Sequence, residues 1–174
     1  MACCRAATGD DVLIILGIDP GTATTGYGVI DKRGSAVKFV ACGAILTDKN
    51  TPMPQRLEQI YNELNTLIDQ YAPEVLVTEQ LFFSNNVTTA LQVGRTVGIV
   101  LLTAAQRHLP WLEYRPAEVK QAVVGYGNAE KKQVQYMVKQ LLALDKTPKP
   151  DDAADALAIA ICHAHSAHLR SITG

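Results

Sequence analysis

GIDPGTATTGYGVI, residues 17–30, is the stretch that decides the fold, because it places an acid at a sharp turn between two strands. The apolar, β-branched run at residues 12–18 predicts a buried strand, and Asp19 ends it. Pro20 and Gly21 turn the chain, and residues 25–30 predict a second strand. A turn follows, and the run at 36–46 predicts a third strand. The chain therefore opens with antiparallel hairpins.

Helical and strand patterns alternate after these hairpins. Apolar residues at helical spacing predict a helix over 54–71, and residues 75–78 predict a buried strand parallel to the first. The other predicted elements are a strand at 111–114 and helices at 86–107, 117–124, 129–144 and 151–169. Asn128 is the expected N-cap of the fourth helix. The sequence therefore predicts an α/β fold with a mixed five-stranded sheet flanked by helices.

Composition indicates one soluble domain with a substantial core. The chain has 174 residues, of which 48% are hydrophobic, and its net charge of −1 argues against a strongly basic nucleic-acid binder. We expect residues 1–11 to be a disordered extension and residues 12–170 to form a single domain. Four cysteines without a CxxC pair indicate a reduced, cytoplasmic protein, and no apolar run is long enough to span a membrane.

Four carboxylates stand where this fold can bring them together. Asp19 and Glu79 each end an apolar strand, and Asp152 and Asp155 lie three residues apart at the start of the last helix. Converging carboxylates repel one another unless a divalent cation neutralises them, and oxygen ligands favour Mg²⁺ or Mn²⁺ over zinc. The alternatives are helix capping for the two helical acids and turn formation for Asp19. Glu79 has few such alternatives, because burying it is costly.

Three sequence blocks, in this order and spacing, resemble one protein family. The blocks are GIDPGTATTGYGVI at 17–30, VLVTEQLFF at 75–83 and DDAADALAIAICH at 151–163. A fourth stretch, VKQAVVGYGNAEKKQVQYMV at 119–138, also matches. Together they resemble the bacterial Holliday-junction resolvases of the RuvC family over about residues 13 to 165. The resemblance implies a ribonuclease-H-like fold.

The resemblance also implies an activity and its catalytic residues. The family cuts four-way DNA junctions, and its catalytic acids correspond to Asp19, Glu79, Asp152 and Asp155. These acids would hold two Mg²⁺ ions per active site, with Mn²⁺ able to substitute, for hydrolysis of a phosphodiester. The expected products are nicks with a 5′-phosphate and a 3′-hydroxyl, made in recombination and DNA repair. Asp151 is a fifth acid outside the family register, and we expect it to cap the helix or to support the site from outside.

Three further residues match family positions that handle DNA. Phe82 corresponds to an aromatic residue that stacks on bases near the exchange point, and Lys120 and Lys131 correspond to lysines near the cut backbone. The alternatives are core packing for Phe82 and a solvated helix face for the lysines. Lys132 is a weaker candidate for the same role as Lys131.

The resemblance implies a homodimer formed through helices. Gly94 and Gly98 lie four residues apart on one predicted helix, and glycine in a helix costs up to about 1 kcal/mol relative to alanine. This helix is therefore the candidate interface, although close packing onto its own sheet is an equal alternative. Two active sites related by a two-fold axis suit a two-fold symmetric junction. The family further implies a partnership with the RuvA–RuvB branch-migration complex and a preference for T-rich cleavage sites.

Other functions share parts of this pattern. The Asp-x-Gly-Thr motif at Asp19 also occurs in actin-like ATPases and sugar kinases, but those need a second such domain, and no second copy is present. A YqgF-type nuclease acting on RNA and a junction-binding module without activity are the other two alternatives. A zinc clip formed by Cys162, His163, His165 and His168 is disfavoured, because the helix dipole alone accounts for histidines near a helix C-terminus.

Overall fold

The computed structural model describes residues 12–80 and 87–173, which form five strands and five helices. The elements in chain order are β1 (Val12–Asp19), β2 (Thr24–Arg33), β3 (Ala36–Leu46), α1 (Met53–Tyr71), β4 (Val75–Glu79), α2 (Val87–Gln106), β5 (Trp111–Tyr114), α3 (Pro116–Val124), α4 (Lys131–Leu141) and α5 (Asp151–Thr173).

The strands form one sheet in the order β3-β2-β1-β4-β5. The first three strands are antiparallel neighbours, as the hairpin pattern predicts. β4 then pairs with β1 in parallel, and β5 pairs with β4 in parallel. The predicted mixed five-stranded sheet is therefore confirmed, with β1 and β4 side by side near its centre.

Helices cover both faces of the sheet, and strand alternation decides which side chains face which helices. Ile15 and Val77 belong to the core formed with α3, α4 and α5. Leu16 and Leu76 belong to the core formed with α1 and α2. Asp19 lies four residues after Ile15, and Glu79 lies two after Val77. Both acids are therefore on the α5 face of the sheet.

Small residues bring α5 unusually close to the strands beneath it. A Cβ atom at Gly17 would stand 2.2 Å from the carbonyl oxygen of Ala156, a distance that no real side chain tolerates. On α5 itself the buried positions facing the sheet include many alanines, such as Ala153, Ala156 and Ala160. The helix therefore rests almost directly on the sheet backbone, and this fixes the height of its acidic first turn.

The helix boundaries differ from the predicted ones mainly at α4. The predicted N-cap, Asn128, is wrong, because the helix begins at Lys131 after the N-cap Glu130. The side-chain oxygen of Gln133 accepts a hydrogen bond from the Glu130 backbone N–H at 2.9 Å, which forms a capping box. A Glu–Gln pair three residues apart thus satisfies the helix start. The helix also ends earlier than predicted, at Leu141, and α5 extends further, to Thr173.

No helix in the parts of the chain just described is long and apolar enough to cross a membrane. Residues 1–11, the predicted extension, lie outside the described residues. The division into an extension and a domain over 12–170 stays a prediction.

Candidate active site

The centre of the site is the edge of the sheet where β1 and β4 end together. Ile18 is paired with Thr78 in the parallel register, so the next residues, Asp19 and Glu79, leave adjacent strands at the same level. Both side chains point to the α5 face by strand alternation. Both are half-buried. The predicted proximity of these two acids therefore follows from the topology.

The first turn of α5 brings the helical acids to the same edge. Gly26 is the register partner of Asp19 on β2, and a Cβ there would stand 2.1 Å from the backbone oxygen of Asp152. Asp152 therefore sits directly over the strand pair that carries Asp19. Asp155 follows three residues later, on the same side of the helix.

A cavity of about 310 Å³ opens at this edge. Its lining contains five of the predicted site residues: Asp19, Glu79, Asp155, Lys120 and Lys131. Its apolar walls are Pro116, Val119, Val134, Ala158 and Ile159, which sequence reasoning did not identify. Asp152 does not line the cavity, although its negative charge lies close enough to raise the pKa of Asp19.

The acids perturb one another strongly. The pKa of Asp19 is raised from 3.8 to about 7, first by burial and then by the negative charges of Asp155, Asp152 and Glu79. Burial, with a contribution from Asp155, also raises the pKa of Glu79. Such crowding of carboxylates is typical of sites that use them for chemistry or for metal binding.

Two lysines on different helices face these acids. The ammonium group of Lys131 donates a hydrogen bond of 2.7 Å to Oδ2 of Asp155. Burial raises the pKa of Asp155, while Lys131 opposes that rise. The positive charges of Lys120 and Lys131 also act to lower the pKa of Glu79. Lys132, the weaker candidate, is exposed and lines a separate hollow beside Tyr136.

A buried tyrosine–histidine pair joins β5 to α5, and the sequence analysis missed its connection to the site. Tyr114 is the register partner of Glu79, and its carbonyl accepts a hydrogen bond of 2.8 Å from Gln80. Its hydroxyl lies 2.7 Å from Nδ1 of His163. The pair therefore links the end of β5, which pairs with the strand carrying Glu79, to the helix carrying Asp155. The sequence feature that could have indicated this connection was the position of Tyr114 at the end of the predicted strand 111–114.

The remaining polar residues of α5 have other roles. Asp151 accepts a hydrogen bond of 3.0 Å from Lys149 and does not line the cavity, in keeping with the expected outside position. His163 pairs with Tyr114, and Nδ1 of His165 lies 3.0 Å from the carbonyl oxygen of Ala122. The arrangement of these two histidines does not suggest a zinc clip.

Two further predictions concern Phe82, which follows β4 in the sequence, and the two glycines of α2. Phe82 lies outside the described residues. Gly94 and Gly98 are exposed on α2, and a Cβ at either would meet no atom within 4 Å. The alternative that these glycines pack closely onto their own sheet is therefore wrong.

The donor set fits a hard divalent cation. Carboxylate oxygens are the ligands that Mg²⁺ and Mn²⁺ prefer, and a cation would relieve the repulsion that raises the pKa of Asp19. Within residues 12–80 and 87–173, no three His, Cys, Asp or Glu side chains are already grouped closely enough to hold a metal ion. The acids thus share one cavity edge without forming a closed ligand shell.

Comparison with known proteins agrees with this site. Residues 15–163 match the family model described as "Crossover junction endodeoxyribonuclease RuvC". A protein of that name from Alkaliphilus metalliredigens is 52% identical over 160 residues, covering 92% of this chain and 98% of the relative. One from Desulfitobacterium hafniense is 53% identical over 162 residues, covering 93% of this chain and 98% of the relative.

Comparison with solved structures identifies a similar fold in the same family. The structure of Thermus thermophilus RuvC in complex with a Holliday junction substrate superposes with a TM-score of 0.86 at 33% identity, covering 91% of this chain and 97% of that one. Because the family model spans most of the chain and half the residues are shared with curated relatives over nearly their full length, this protein belongs to the RuvC family of crossover junction endodeoxyribonucleases.

Proposed function

We propose that this protein resolves four-way DNA junctions by paired symmetric nicks, and that the cavity at the end of β1 and β4 is its active site. The observation that carries the proposal is the convergence of Asp19, Glu79 and Asp155 on one cavity that Lys120 and Lys131 also line. Family membership supplies the reaction class, and the cavity supplies a location for it. The role in recombination and DNA repair follows from the same membership.

The acids act as a unit in this proposal. Asp19 and Glu79 are fixed by adjacent strands, while Asp155 is fixed by a helix packed directly on those strands. Asp152 completes the set from just outside the cavity lining, where its charge acts on Asp19. Rigid elements on three sides hold the carboxylates against their mutual repulsion, which keeps them in place for metal binding.

The acids would hold two Mg²⁺ ions, for which Mn²⁺ substitutes. When bound, these ions supply Lewis acidity for in-line hydrolysis that leaves a 5′-phosphate and a 3′-hydroxyl. The part played by the protein is to provide oxygen donors, a half-buried cavity and positive charge beside it. Lys120 would contact the DNA backbone as a point charge, because it lines the same cavity from α3.

Lys131 has a second partner in this arrangement. Its ammonium group donates a hydrogen bond to Asp155, and it also lines the cavity that a phosphate would enter. Phe82, three residues after Glu79, is proposed to stack on an unpaired base near the exchange point. The residues that read a T-rich cleavage site are not identified by these contacts.

We place the homodimer interface on α2. Its outer side carries Leu91, which is 59% exposed, and Leu102, which is 49% exposed. Gly94, Gly98 and Ala105 are exposed at the same helical spacing. An apolar stripe with two glycines, at which an added Cβ would come within 4 Å of no described atom outside the neighbouring backbone of α2, suits close packing against a second copy.

A groove beside this stripe extends the proposed interface. It has a volume of about 510 Å³ and runs between α1 and α2, with Leu57, Tyr61, Ile99 and Leu102 among its lining residues. A second copy that covers both the stripe and the groove would bury Leu91 and Leu102 of each chain. The proposed dimer acts in the cytoplasm on junctions delivered by the RuvA–RuvB branch-migration complex.

The competing functions are disfavoured by the comparisons. The family match covers residues 15–163 with the name of a DNA junction nuclease, which argues against both a nucleotide-dependent kinase and an RNA nuclease. A binding module without activity is disfavoured because all four acids are present and their electrostatic coupling is strong.

The direct test is cleavage of a synthetic mobile four-way junction with Mg²⁺, beside a linear duplex of the same sequence and a metal-free reaction. We expect paired symmetric nicks on the junction alone, lost when EDTA removes the metal. Junction binding without nicks under all metal conditions would contradict the proposed activity and leave a binding module.

A further inference from the structure

Arg56, on α1, is a buried cation whose position the proposed mechanism does not use. Its side chain belongs to a residue that is only 9% exposed. The four ion pairs within the described residues do not include it. Burying a guanidinium group without a carboxylate is costly, so its hydrogen-bonding partner matters for stability and placement.

The partner of Arg56 is Thr47, and a chain of hydrogen bonds runs from it to the loop that follows Asp19. Nε of Arg56 donates a hydrogen bond of 2.8 Å to Oγ1 of Thr47. The hydroxyl of Thr47 donates in turn to the carbonyl oxygen of Thr22, at 2.5 Å. A hydroxyl has one proton, so Thr47 can accept from Arg56 and donate to Thr22 at the same time. Accepting a bond from a cation polarises the hydroxyl and strengthens its own donation.

Thr22 belongs to residues 20–23, the short loop that follows Asp19 and joins β1 to β2. The backbone N–H of Thr47 also donates to the carbonyl oxygen of Ala23, at 3.1 Å. From the start of β2, the hydroxyl of Thr25 donates to the Gly21 carbonyl oxygen of the loop, at 2.6 Å. The loop carbonyls are thus held from the side of β3 and α1.

A second set of bonds holds the same loop from α2. The hydroxyl of Thr22 donates to the carbonyl oxygen of Gln92 at 2.9 Å, and it lies 3.1 Å from the hydroxyl of Thr96. Because the Thr22 proton goes to Gln92, the Thr96 hydroxyl is the donor in this pair. Thr22 and Thr96 are 6% and 0% exposed, so water does not compete for these bonds.

We propose that Arg56 is a positioning residue for Asp19: through Thr47 it fixes the loop that follows Asp19, and the fixed loop restrains the Asp19 carboxylate at the end of its strand. The hydrogen-bonded chain runs from a buried cation to the backbone of the loop without a gap. Asp19 is the last residue of β1, so strand alternation turns its side chain to the α5 face and the loop restrains the chain on its other side. The inference rests on the proposed role of Asp19 in metal binding.

The test separates positioning from simple stability by measuring metal affinity directly. Mn²⁺ binding to the full chain without DNA is followed by electron paramagnetic resonance, beside the single-turnover rate of junction cleavage and the thermal midpoint. The variants are Arg56→Met, Arg56→Lys, Thr47→Val and Thr47→Ser. Thr103→Val is the matched control, because Thr103 is also buried but its hydroxyl donates to the Ile99 carbonyl of its own helix rather than to the loop.

We expect Arg56→Met and Thr47→Val to lower both the Mn²⁺ affinity and the cleavage rate about tenfold, as loss of a residue supporting a metal ligand does. Thr47→Ser keeps the hydroxyl and should stay close to the parent. Thr103→Val should lower the thermal midpoint without changing Mn²⁺ affinity. The double variant Arg56→Met/Thr47→Val should be no worse than either single variant, because both interrupt one chain of bonds.

Unchanged Mn²⁺ affinity and cleavage rate in Thr47→Val would overturn the proposal. If Arg56→Met and Thr47→Val do not fold, Arg56→Lys decides, because lysine keeps the charge but lacks Nε; parent-level affinity in that variant also overturns it. Failure of the proposed function would look different, since the parent protein itself would then neither bind Mn²⁺ nor cut the junction.

Discussion

Asp19 and Glu79 reach one cavity because each lies an even number of residues after a core residue of its own strand. Ile15 and Val77 face α5, so the alternation of a strand brings both acids to that face. The parallel register of β1 and β4 then sets them at the same level. Two local patterns and one pairing thus account for half of the proposed catalytic set.

Replacing Asp19 by asparagine should abolish cutting and leave junction binding intact. The amide keeps the shape but removes a charged ligand, and we expect the cleavage rate to fall at least about a thousandfold, in the range of losses seen when a catalytic group is removed. Single-turnover cleavage and a gel-shift assay on the same junction give the two readouts. Asp145→Asn, at an exposed acid on the loop after α4, is the control. Cutting retained by Asp19→Asn would remove Asp19 from the site.

Phe82→Ala should slow cleavage while the fold stays intact. Stacking of a base on an aromatic ring contributes about 1–3 kcal/mol, so we expect a loss of roughly tenfold or more. The measurement is the cleavage rate on a mobile junction together with the thermal midpoint. A normal rate with a lowered midpoint would favour the alternative of core packing.

At the scale of elements, α5 depends on glycines in the strands beneath it. A methyl group at Gly26 would stand 2.1 Å from the backbone oxygen of Asp152, and backbone cannot give way as a side chain can. The position of Asp152 and Asp155 therefore depends on the lack of a side chain at Gly26 on β2. A sequence motif made of acids alone does not include this glycine.

We expect Gly26→Ala to lower the free energy of unfolding by about 3 kcal/mol, as overpacking does, and to reduce cutting in the fraction that remains folded. Urea unfolding gives the first value and cleavage at low temperature gives the second. Ser35→Ala, at an exposed position on the turn between β2 and β3, is the control. Equal stabilities for the two variants would contradict the close approach of α5 to β2.

The outer side of α2 carries a separate prediction. Gly98→Leu should weaken the dimer about tenfold or more, because a bulky side chain at a close helix contact costs about 1–3 kcal/mol. Analytical ultracentrifugation measures the dissociation constant, with Lys132→Leu as an exposed substitution on α4. A persistent dimer of normal stability would place the interface on another surface.

For the whole molecule, the proposed site is a concentration of negative charge in a chain whose net charge is only −1. The pKa of Asp19 is raised from 3.8 to about 7, so the folded protein keeps a proton that the unfolded chain has already lost. Stability should therefore fall as the pH rises between these two values. Without metal, the negative charges of the clustered acids repel one another, and a bound cation would reduce this repulsion.

In EDTA, we expect the free energy of unfolding to be lower at pH 8 than at pH 5, with up to about 3 kcal/mol of the difference due to Asp19. Urea unfolding at the two pH values measures it. In Asp19→Asn the difference should shrink, and saturating Mg²⁺ should reduce it in the parent. A parent whose stability does not change between the two pH values would contradict the buried, crowded state of Asp19.

Much of this could be predicted from the sequence, because strand alternation and acid spacing are local patterns. The order of elements, the sheet and the grouping of Asp19, Glu79 and Asp155 follow from such patterns and from the family resemblance. The Asn128 cap failed because a Glu–Gln capping box that begins two residues later competes with it. Arg56 could not be found, since its significance lies in partners 9 and 34 residues away.

The position of α5 as the last helix has a consequence for synthesis. A ribosome releases Asp19 and Glu79 long before Asp152 and Asp155, and the cavity lacks one wall until that helix packs across the sheet. A nascent or truncated chain would therefore carry the strands of a nuclease without its proposed catalytic set. Cutting would begin only once translation had passed the helix, so incomplete chains would be harmless to the chromosome.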